Sequence, residues 1–86
     1  MDLDDWRKKI DGLNAQMLKI LNDRARCALA IAELKKRKML PIHDPHRERR
    51  ILESVLAENT GPLSDEAVRH IFECIMEEHR RLEEEA

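Results

Sequence analysis

Residues 2–40, DLDDWRKKIDGLNAQMLKILNDRARCALAIAELKKRKML, form the stretch that decides the fold. Its apolar side chains recur at alternating spacings of three and four, which is typical of one face of an α-helix. They are Leu3, Trp6, Ile10, Leu13, Met17 and Ile20, with Leu21 alongside. Gly12 lowers the helix propensity locally, but a single glycine inside a helical pattern is tolerated. No breaker precedes Pro41, so the pattern predicts one helix that begins near Asp2 or Asp4 and continues to that proline.

The length of this helix limits how the rest of the chain can fold. At about 1.5 Å per residue it is roughly 55 Å long. A compact globule of 86 residues has a radius of gyration of only about 12 Å. The first helix is therefore expected to protrude from any monomeric fold.

A short second helix is predicted over residues 45–58. Asp44 is a good N-cap for it. Pro45 fits the first helical position, because the N–H group that proline lacks would have no partner there. The apolar face of this helix carries Ile51, Leu52, Val55 and Leu56.

A third helix of medium length is predicted after a loop at residues 58–64, ENTGPLS. Ser64 caps this helix, which continues to about Glu83, and acidic residues in its first turn suit the helix dipole. No strand-like alternation appears. We therefore predict an all-α fold of three helices in a single domain over residues 1–86.

The apolar stripe of the first helix is too long for two short helices to cover. A core this small also contributes little stability by itself. A second copy of the chain, with the long helices side by side, would cover the stripe, so we predict an intertwined, symmetric homodimer. An elongated coiled coil is the alternative, and it is less favoured because the stripe does not stay apolar.

Composition excludes several classes of partner. Charged residues make up 40% of the chain but the net charge is −2, which gives no basis for nucleic-acid binding. There is no apolar run of membrane-spanning length. The N-terminus, MDLDDW, lacks the features of a signal peptide, so a cytoplasmic protein is predicted. Cys27 and Cys74 lack a paired spacing, which predicts buried free thiols and no zinc site or disulfide.

Ionisable side chains interrupt the inward-facing stripes of all three predicted helices. They are Arg24 and Lys35 on the first, Arg47 and Glu48 on the second, and His79 and Glu83 on the third. Snorkelling or end fraying would explain any one of them, but not a set on three helices. Because an unpaired buried charge is costly, these groups are expected to face partners or a polar cavity. The pattern predicts a net-positive pocket that contains one or two acids.

The pocket's residue types favour a small dicarboxylate as the ligand. Several inward-facing cations suit a ligand with more than one carboxylate or phosphate. The chain has no P-loop, no evident set of nucleophile and base, and no histidine pair at metal spacing, which favours a small dicarboxylate over a phosphate or a metal ion. Glu48 stands one residue too late for a capping box, whose glutamate would occupy the position of Arg47. Glu48 therefore needs another role, and an acid near a bound dicarboxylate could hydrogen-bond a ligand hydroxyl or another neutral oxygen.

The chain resembles the all-helical chorismate mutases over nearly its whole length. The matching stretches are WRKKIDGLN with MLKILNDR, AIAELKK, IHDPHRERRIL, and GPLSDEAVRHIFECIMEEHRRLE. The Arg-x-x-Ile-Asp-x-Leu opening, the Asp-Pro-x-Arg-Glu turn and the Gly-Pro-Leu-Ser entry occur in the family's order and spacing. The resemblance implies a Claisen rearrangement of chorismate to prephenate, toward phenylalanine and tyrosine, with no cofactor or metal. It also implies a homodimer whose two active sites share residues from both first helices.

The resemblance implies roles for four cations. Arg24 and Arg7 would bind substrate carboxylates, with Arg7 supplied by the other subunit. Lys35 would reach a carboxylate and the ether oxygen. Arg47 would add positive charge and order the site.

Four further residues acquire roles in the same way. Glu48 would hold the ring hydroxyl, helped by the backbone at Asp44. Glu83 aligns with the position that hydrogen-bonds the ether oxygen, where family members carry Gln or Glu. His79 falls where some members carry a small hydroxyl residue near a substrate carboxylate. The predicted catalytic residues are Arg24, Lys35, Glu48 and Glu83.

Two other functions stay open on the sequence. Isochorismate pyruvate lyase has the same fold and also takes a cyclic enolpyruvyl dicarboxylate, although the Asp-Pro-x-Arg-Glu turn with Lys35 favours the mutase. The second is a helical interaction module without catalysis. Some family members are fused to, or bind, another shikimate-pathway enzyme. The sequence shows no extra domain, so such a partner is expected to be a separate chain.

Overall fold

Three α-helices and no strands make up the computed structural model, which describes residues 1–86. The helices are α1, Leu3–Arg37; α2, Pro45–Glu58; and α3, Asp65–Glu85. The predicted all-α fold, with a long, a short and a medium helix, is confirmed. Helix α3 packs against both α1 and α2. None of the three combines the length and apolar content that crossing a membrane requires.

Side-chain caps fix the three helix starts. The Asp2 carboxylate accepts from the Asp5 N–H at 2.9 Å, and the Asp5 carboxylate accepts from the Asp2 N–H at 3.0 Å, which is a capping box. Asp44 and Ser64 each accept from the backbone N–H three residues later, at 3.1 Å. These bonds satisfy N–H groups that would otherwise have no partner in the first turn. The predicted starts of all three helices are confirmed.

The C-terminus of α1 differs from the prediction. The helix ends at Arg37 and does not continue to Pro41. The N–H groups of Met39 and Leu40 donate to carbonyls three and five residues earlier, at 3.2 and 2.8 Å, which is a Schellman motif. A proline disfavours helical backbone in the residue before it. The chain therefore leaves the helix ahead of Pro41.

The molecule is elongated because α1 extends well beyond α2 and α3. Its dimensions are 55 × 24 × 15 Å and its radius of gyration is 15.9 Å. A compact chain of this length would have a radius of gyration of about 12 Å. Residues 1–20 are all exposed in the single chain. The predicted protrusion of the first helix is thus confirmed.

The core is small and lies where α1 and α3 meet. Only five residues are buried: Ala28, Ala32, Val68, Met76 and His79. The two alanines allow α3 to approach α1 closely at this level. The chain exposes 7055 Å², against roughly 5,300 Å² for a compact monomer of 10.1 kDa. A large apolar surface is left uncovered.

Both cysteines are free thiols, as predicted, but both are exposed. The expectation that they are buried is therefore wrong. Cys27 lies on the face of α1 that borders a cavity. Cys74 lies on α3 beside His70, with 4.0 Å between its Sγ and the histidine Nε2. Three helices in one chain are too few to cover every face of α1 and α3.

Candidate active site

A cavity of about 260 Å³ lies between the three helices. Seven of the eight site residues predicted from the sequence line it: Arg24, Lys35, Asp44, Arg47, Glu48, His79 and Glu83. Apolar side chains complete the wall, among them Ile31, Ile51 and Met76. The tertiary structure thus collects into one cavity side chains that are up to 59 positions apart, from Arg24 to Glu83.

Helix α1 supplies two cations to the cavity. Arg24 and Lys35 are eleven residues apart, about three helical turns, so they project from the same face. The Lys35 Nζ donates to the Ile42 carbonyl at 2.9 Å, which ties the α1–α2 connection to the cavity rim. An ammonium group has three donors, so Lys35 retains two for a ligand.

Arg24 and His79 form a contact across the α1–α3 interface. The Arg24 Nη1 lies 2.6 Å from the His79 Nδ1. A guanidinium group can only donate, so Nδ1 accepts and the ring proton is on Nε2. Burial, and next the charge of Arg24, lower the pKa of His79 below its ordinary value. The imidazole is therefore neutral at neutral pH.

Glu48, at the start of α2, is anchored through one of its two oxygens. Its Oε2 lies 3.4 Å from the His43 Nε2 and 3.8 Å from the Arg80 Nη1. The Glu48 side chain is 30% exposed. Its Oε1 makes no ion pair or hydrogen bond within the chain. The carboxylate is thus oriented and keeps an oxygen that can accept from a ligand hydroxyl.

Glu83, on the last turns of α3, has a pKa above its ordinary value. Burial is the main cause, and Lys35 and then Arg24 oppose it by attracting the carboxylate. The neighbouring carboxylates of Glu48 and Glu84 raise the pKa further. A protonated carboxyl group can donate a hydrogen bond, which a carboxylate cannot. The site therefore favours a donor at this position.

The lining charges suit a dianion. Four cations, Arg24, Lys35, Arg47 and Arg80, stand against three acids, Asp44, Glu48 and Glu83. With His79 neutral, the formal charge of the lining is +1, and it becomes +2 when Glu83 is protonated. No group of three or more His, Cys, Asp or Glu side chains is arranged to hold a metal ion.

Arg7 is the predicted site residue that the cavity does not include. Its side chain is 67% exposed, and its one ionic neighbour is Asp4, 4.0 Å away. Arg7 and Arg24 are seventeen residues apart on the same helix, which corresponds to about 25 Å. Arg7 can therefore enter a cavity of this kind only in a second copy of the chain.

Arg80 belongs to the cavity although the sequence pattern did not single it out. It lies four residues after Met76 and three before Glu83, so all three share one face of α3. This helical spacing was the signal that could have identified it. His43 was harder to find, because it precedes α2 and follows no helical periodicity.

Comparison with known proteins finds chains that are similar in sequence and in fold. Residues 6–84 match the family of type II chorismate mutases. The fold superposes on a chorismate mutase (form II) from Thermus thermophilus with a TM-score of 0.94. The identity is 36%, over 95% of this chain and 93% of the other.

Sequence relatives include one short protein and several longer ones. The chorismate mutase of Methanocaldococcus jannaschii is 31% identical over 80 residues, which cover 92% of this chain and 81% of that protein. A bifunctional chorismate mutase/prephenate dehydratase of Aquifex aeolicus is 40% identical over 79 residues. These cover 87% of this chain but only 22% of that relative. The chain therefore spans about a fifth of the length of the bifunctional relatives it matches.

Proposed function

This chain belongs to the chorismate mutase type II family, and from that premise we propose that it catalyses the rearrangement of chorismate to prephenate in aromatic amino acid biosynthesis. One observation carries the proposal. Ionisable residues from all three helices converge on a single cavity whose net charge is positive. Chorismate carries two carboxylates, and a cavity of this charge suits it.

The first contribution to catalysis is positioning. Chorismate prefers an extended form in water, whereas the reaction needs its reacting carbons to meet. Arg24 and Lys35 in one chain, with Arg7 from a second copy, bind the two carboxylates and hold the compact, chair-like geometry. Such positioning lowers the entropic part of the barrier. Glu48 accepts from the ring hydroxyl through its free Oε1 and fixes the ring.

The second contribution is electrostatic. A carbon–carbon bond forms between the enolpyruvyl methylene and the ring carbon that bears the carboxylate, while the ring carbon–oxygen bond breaks. Negative charge develops on the ether oxygen during this exchange. The Lys35 ammonium and the protonated Glu83 carboxyl group donate to that oxygen. They stabilise the transition state more than the ground state, and no covalent intermediate forms.

The active unit in this proposal is an intertwined homodimer. The apolar stripe of α1 is 50–65% exposed in the single chain at every position from Leu3 to Ile20. The surface area exceeds that of a compact monomer by about 1,800 Å², which is of the size that one subunit buries in an obligate dimer. A second chain would cover the stripe and supply Arg7. A cytoplasmic location and a separate shikimate-pathway partner stay predictions.

The test is the loss of chorismate absorbance with purified protein, run beside Lys35→Ala and Lys38→Ala. Lys38 lies one residue past α1, is exposed and does not line the cavity. We expect wild type and Lys38→Ala to consume chorismate. Lys35→Ala should be slower by at least about 100-fold, the usual effect of removing one donor to a developing oxyanion.

Each contrary result has a defined meaning. Activity that survives in Lys35→Ala would contradict the role at the ether oxygen and leave the family unchanged. A folded, dimeric wild type that does not consume chorismate would contradict the mutase proposal. Isochorismate pyruvate lyase activity would then be assayed on the same preparation.

A further inference from the structure

His79 is the one polar residue among the five that are buried, with 9% of its surface exposed. Its Nδ1 accepts from the Arg24 Nη1 at 2.6 Å, and this is its one hydrogen bond within the chain. The remaining nitrogen, Nε2, has no protein partner and is not sealed from solvent. A buried ring that makes one bond, and makes it to a cation, calls for an explanation.

Arg24 has no other partner in the chain. It forms no ion pair with any carboxylate, although three acids line the same cavity. A carboxylate paired with an arginine can orient the guanidinium, but it also neutralises part of the positive charge. A neutral imidazole orients the guanidinium and leaves its full charge for a ligand.

We propose that His79 is a positioning residue, whose neutral imidazole holds the Arg24 guanidinium in place for a substrate carboxylate without neutralising it. This inference rests on the proposed function, because it assigns Arg24 to the substrate. His79 acts through Arg24 and does not itself bind the substrate. Protonation of Nδ1 removes the acceptor and places a second cation beside Arg24. His79 can therefore hold the Arg24 guanidinium in place only when its imidazole is unprotonated.

The charged groups around His79 also affect whether its imidazole stays unprotonated. Lys35 and Arg24 border the cavity from α1, Arg47 and Glu48 from α2, and Arg80 and Glu83 from α3. The Glu48 carboxylate faces His43 and Arg80 through its Oε2 and is not paired with His79. Glu83 is ionisable too and its pKa is raised, mainly by burial, so its effect on a pH profile has to be separated from that of His79.

The kinetic test compares His79→Ala, His79→Asn and the control His70→Asn at neutral pH. His70 lies on the same helix, is exposed and does not line the cavity. Because Arg24 binds a substrate carboxylate in the ground state and in the transition state, disordering its guanidinium should raise KM. The value of kcat should fall as well, because the same contact helps to hold the reactive geometry. We expect KM to rise about tenfold in His79→Ala, as for a lost hydrogen bond to a charged group. The Asn side chain offers an acceptor near Nδ1, so His79→Asn should lie between wild type and His79→Ala.

The pH test is run in a Glu83→Gln background, which removes the titration of Glu83. With His79 present, KM should rise as the pH falls through the His79 pKa. With His79→Asn added, this acid limb should disappear, because an amide does not titrate. A merely structural role for His79 would not produce an acid limb that the Asn variant abolishes.

A third readout does not depend on activity. The ¹⁵N shifts of the His79 ring at neutral pH should report the tautomer protonated on Nε2. A ring protonated on Nδ1, or a KM in His79→Ala equal to that of His70→Asn, would overturn the positioning role while the mutase proposal stands. A wild type that does not turn over chorismate would instead overturn the proposed function, and with it the role of the contact in binding substrate.

Discussion

Glu83 shows, at the scale of one residue, how burial and charge compete. Two cations in the same cavity, Lys35 and Arg24, attract its carboxylate and act to lower its pKa. Burial acts in the opposite direction, because a charged group loses hydration when it leaves water. Burial is the larger effect, and the pKa is raised. Two substrate carboxylates in the cavity would raise it further.

The residue-scale prediction concerns the pH dependence of activity. In the proposed mechanism the protonated form of Glu83 is the donor to the ether oxygen, and this form predominates below the pKa. Activity should therefore fall as the pH rises through the raised pKa of Glu83, a limb opposite in direction to the one that protonation of His79 produces. In Glu83→Gln the amide donates at every pH, so this alkaline limb should be absent. The measurement is kcat/KM for chorismate from acidic to alkaline pH.

The matched control for this profile is Glu78→Gln. Glu78 is on α3, pairs with Arg81 and does not line the cavity. Its profile should match that of wild type. If Glu83→Gln also retained the alkaline limb, the limb would belong to another group, and the donor role of Glu83 would have to be abandoned.

At the scale of elements, the end of α1 determines where Lys35 lies. The carbonyl of Lys35 accepts from the Leu40 N–H at 2.8 Å, and its Nζ donates to the Ile42 carbonyl. The Schellman turn and the α1–α2 connection thus hold the last turn of the helix from both the backbone and the side chain. The turn requires Met39 to adopt a φ of 57°, in the left-handed region. Glycine is the residue that normally occupies this position.

The element-scale prediction is that Met39→Gly stabilises the protein. A residue other than glycine in left-handed backbone destabilises the folded state by about 1–2 kcal/mol. Glycine removes this strain, but its greater conformational entropy in the unfolded chain lowers the free energy of unfolding by about 0.4–1 kcal/mol. Met39 is 92% exposed, so removing its side chain loses few packing contacts. A net gain of about 1 kcal/mol per chain is expected. It would appear as a higher midpoint in thermal or urea unfolding.

The control for Met39→Gly is Met39→Ala. Alanine removes the same exposed side chain but keeps a Cβ, so the strain at positive φ remains and the midpoint should stay near that of wild type. Equal stabilisation by Ala and Gly would show that the side chain, and not the backbone strain, limits stability at this turn.

At the scale of the whole molecule, one chain brings together all but one of the predicted site residues. The cavity has seven of the eight predicted residues, and Arg7 lies about 25 Å from Arg24 on the same straight helix. The part of α1 that carries Arg7 is also the part that no helix of the same chain covers. The proposed homodimer would bury the exposed stripe and complete the two sites in the same step.

The whole-molecule prediction is complementation between two inactive variants. Arg7→Ala and Lys35→Ala should each be nearly inactive as homodimers. In a mixed dimer, one site combines the intact Lys35 of one chain with the intact Arg7 of the other, and the second site carries both substitutions. After unfolding and refolding an equimolar mixture, about a quarter of the wild-type activity should return, because random association makes about half of the dimers mixed.

A mixture of Arg24→Ala and Lys35→Ala provides the control for complementation. Both of these residues line the cavity of one chain, so no mixed dimer contains an intact site, and no activity should return. Recovery in this control, or no recovery in the Arg7→Ala mixture, would contradict a site shared between chains.

The sequence by itself determined the three helices and many of the ionisable residues that line the cavity. Caps such as Asp44 and Ser64, and the apolar spacing of three and four, act within a few residues of each other, so they can be read locally. Charges on apolar stripes were visible for the same reason, because a helix converts spacing into a face. The one local error was the end of α1. Met39 occupies the left-handed position after the helix, where a glycine would normally have indicated the helix end.

Only the tertiary structure decided which groups meet and what they do to one another. The Arg24–His79 contact, the anchoring of Glu48 by Arg80 and the raised pKa of Glu83 all depend on side chains from separate helices. The exposure of Cys27 and Cys74 depends on which faces those helices leave open. Distances across a cavity, and the hydration lost within it, arise from packing between helices, and no spacing along one helix specifies them.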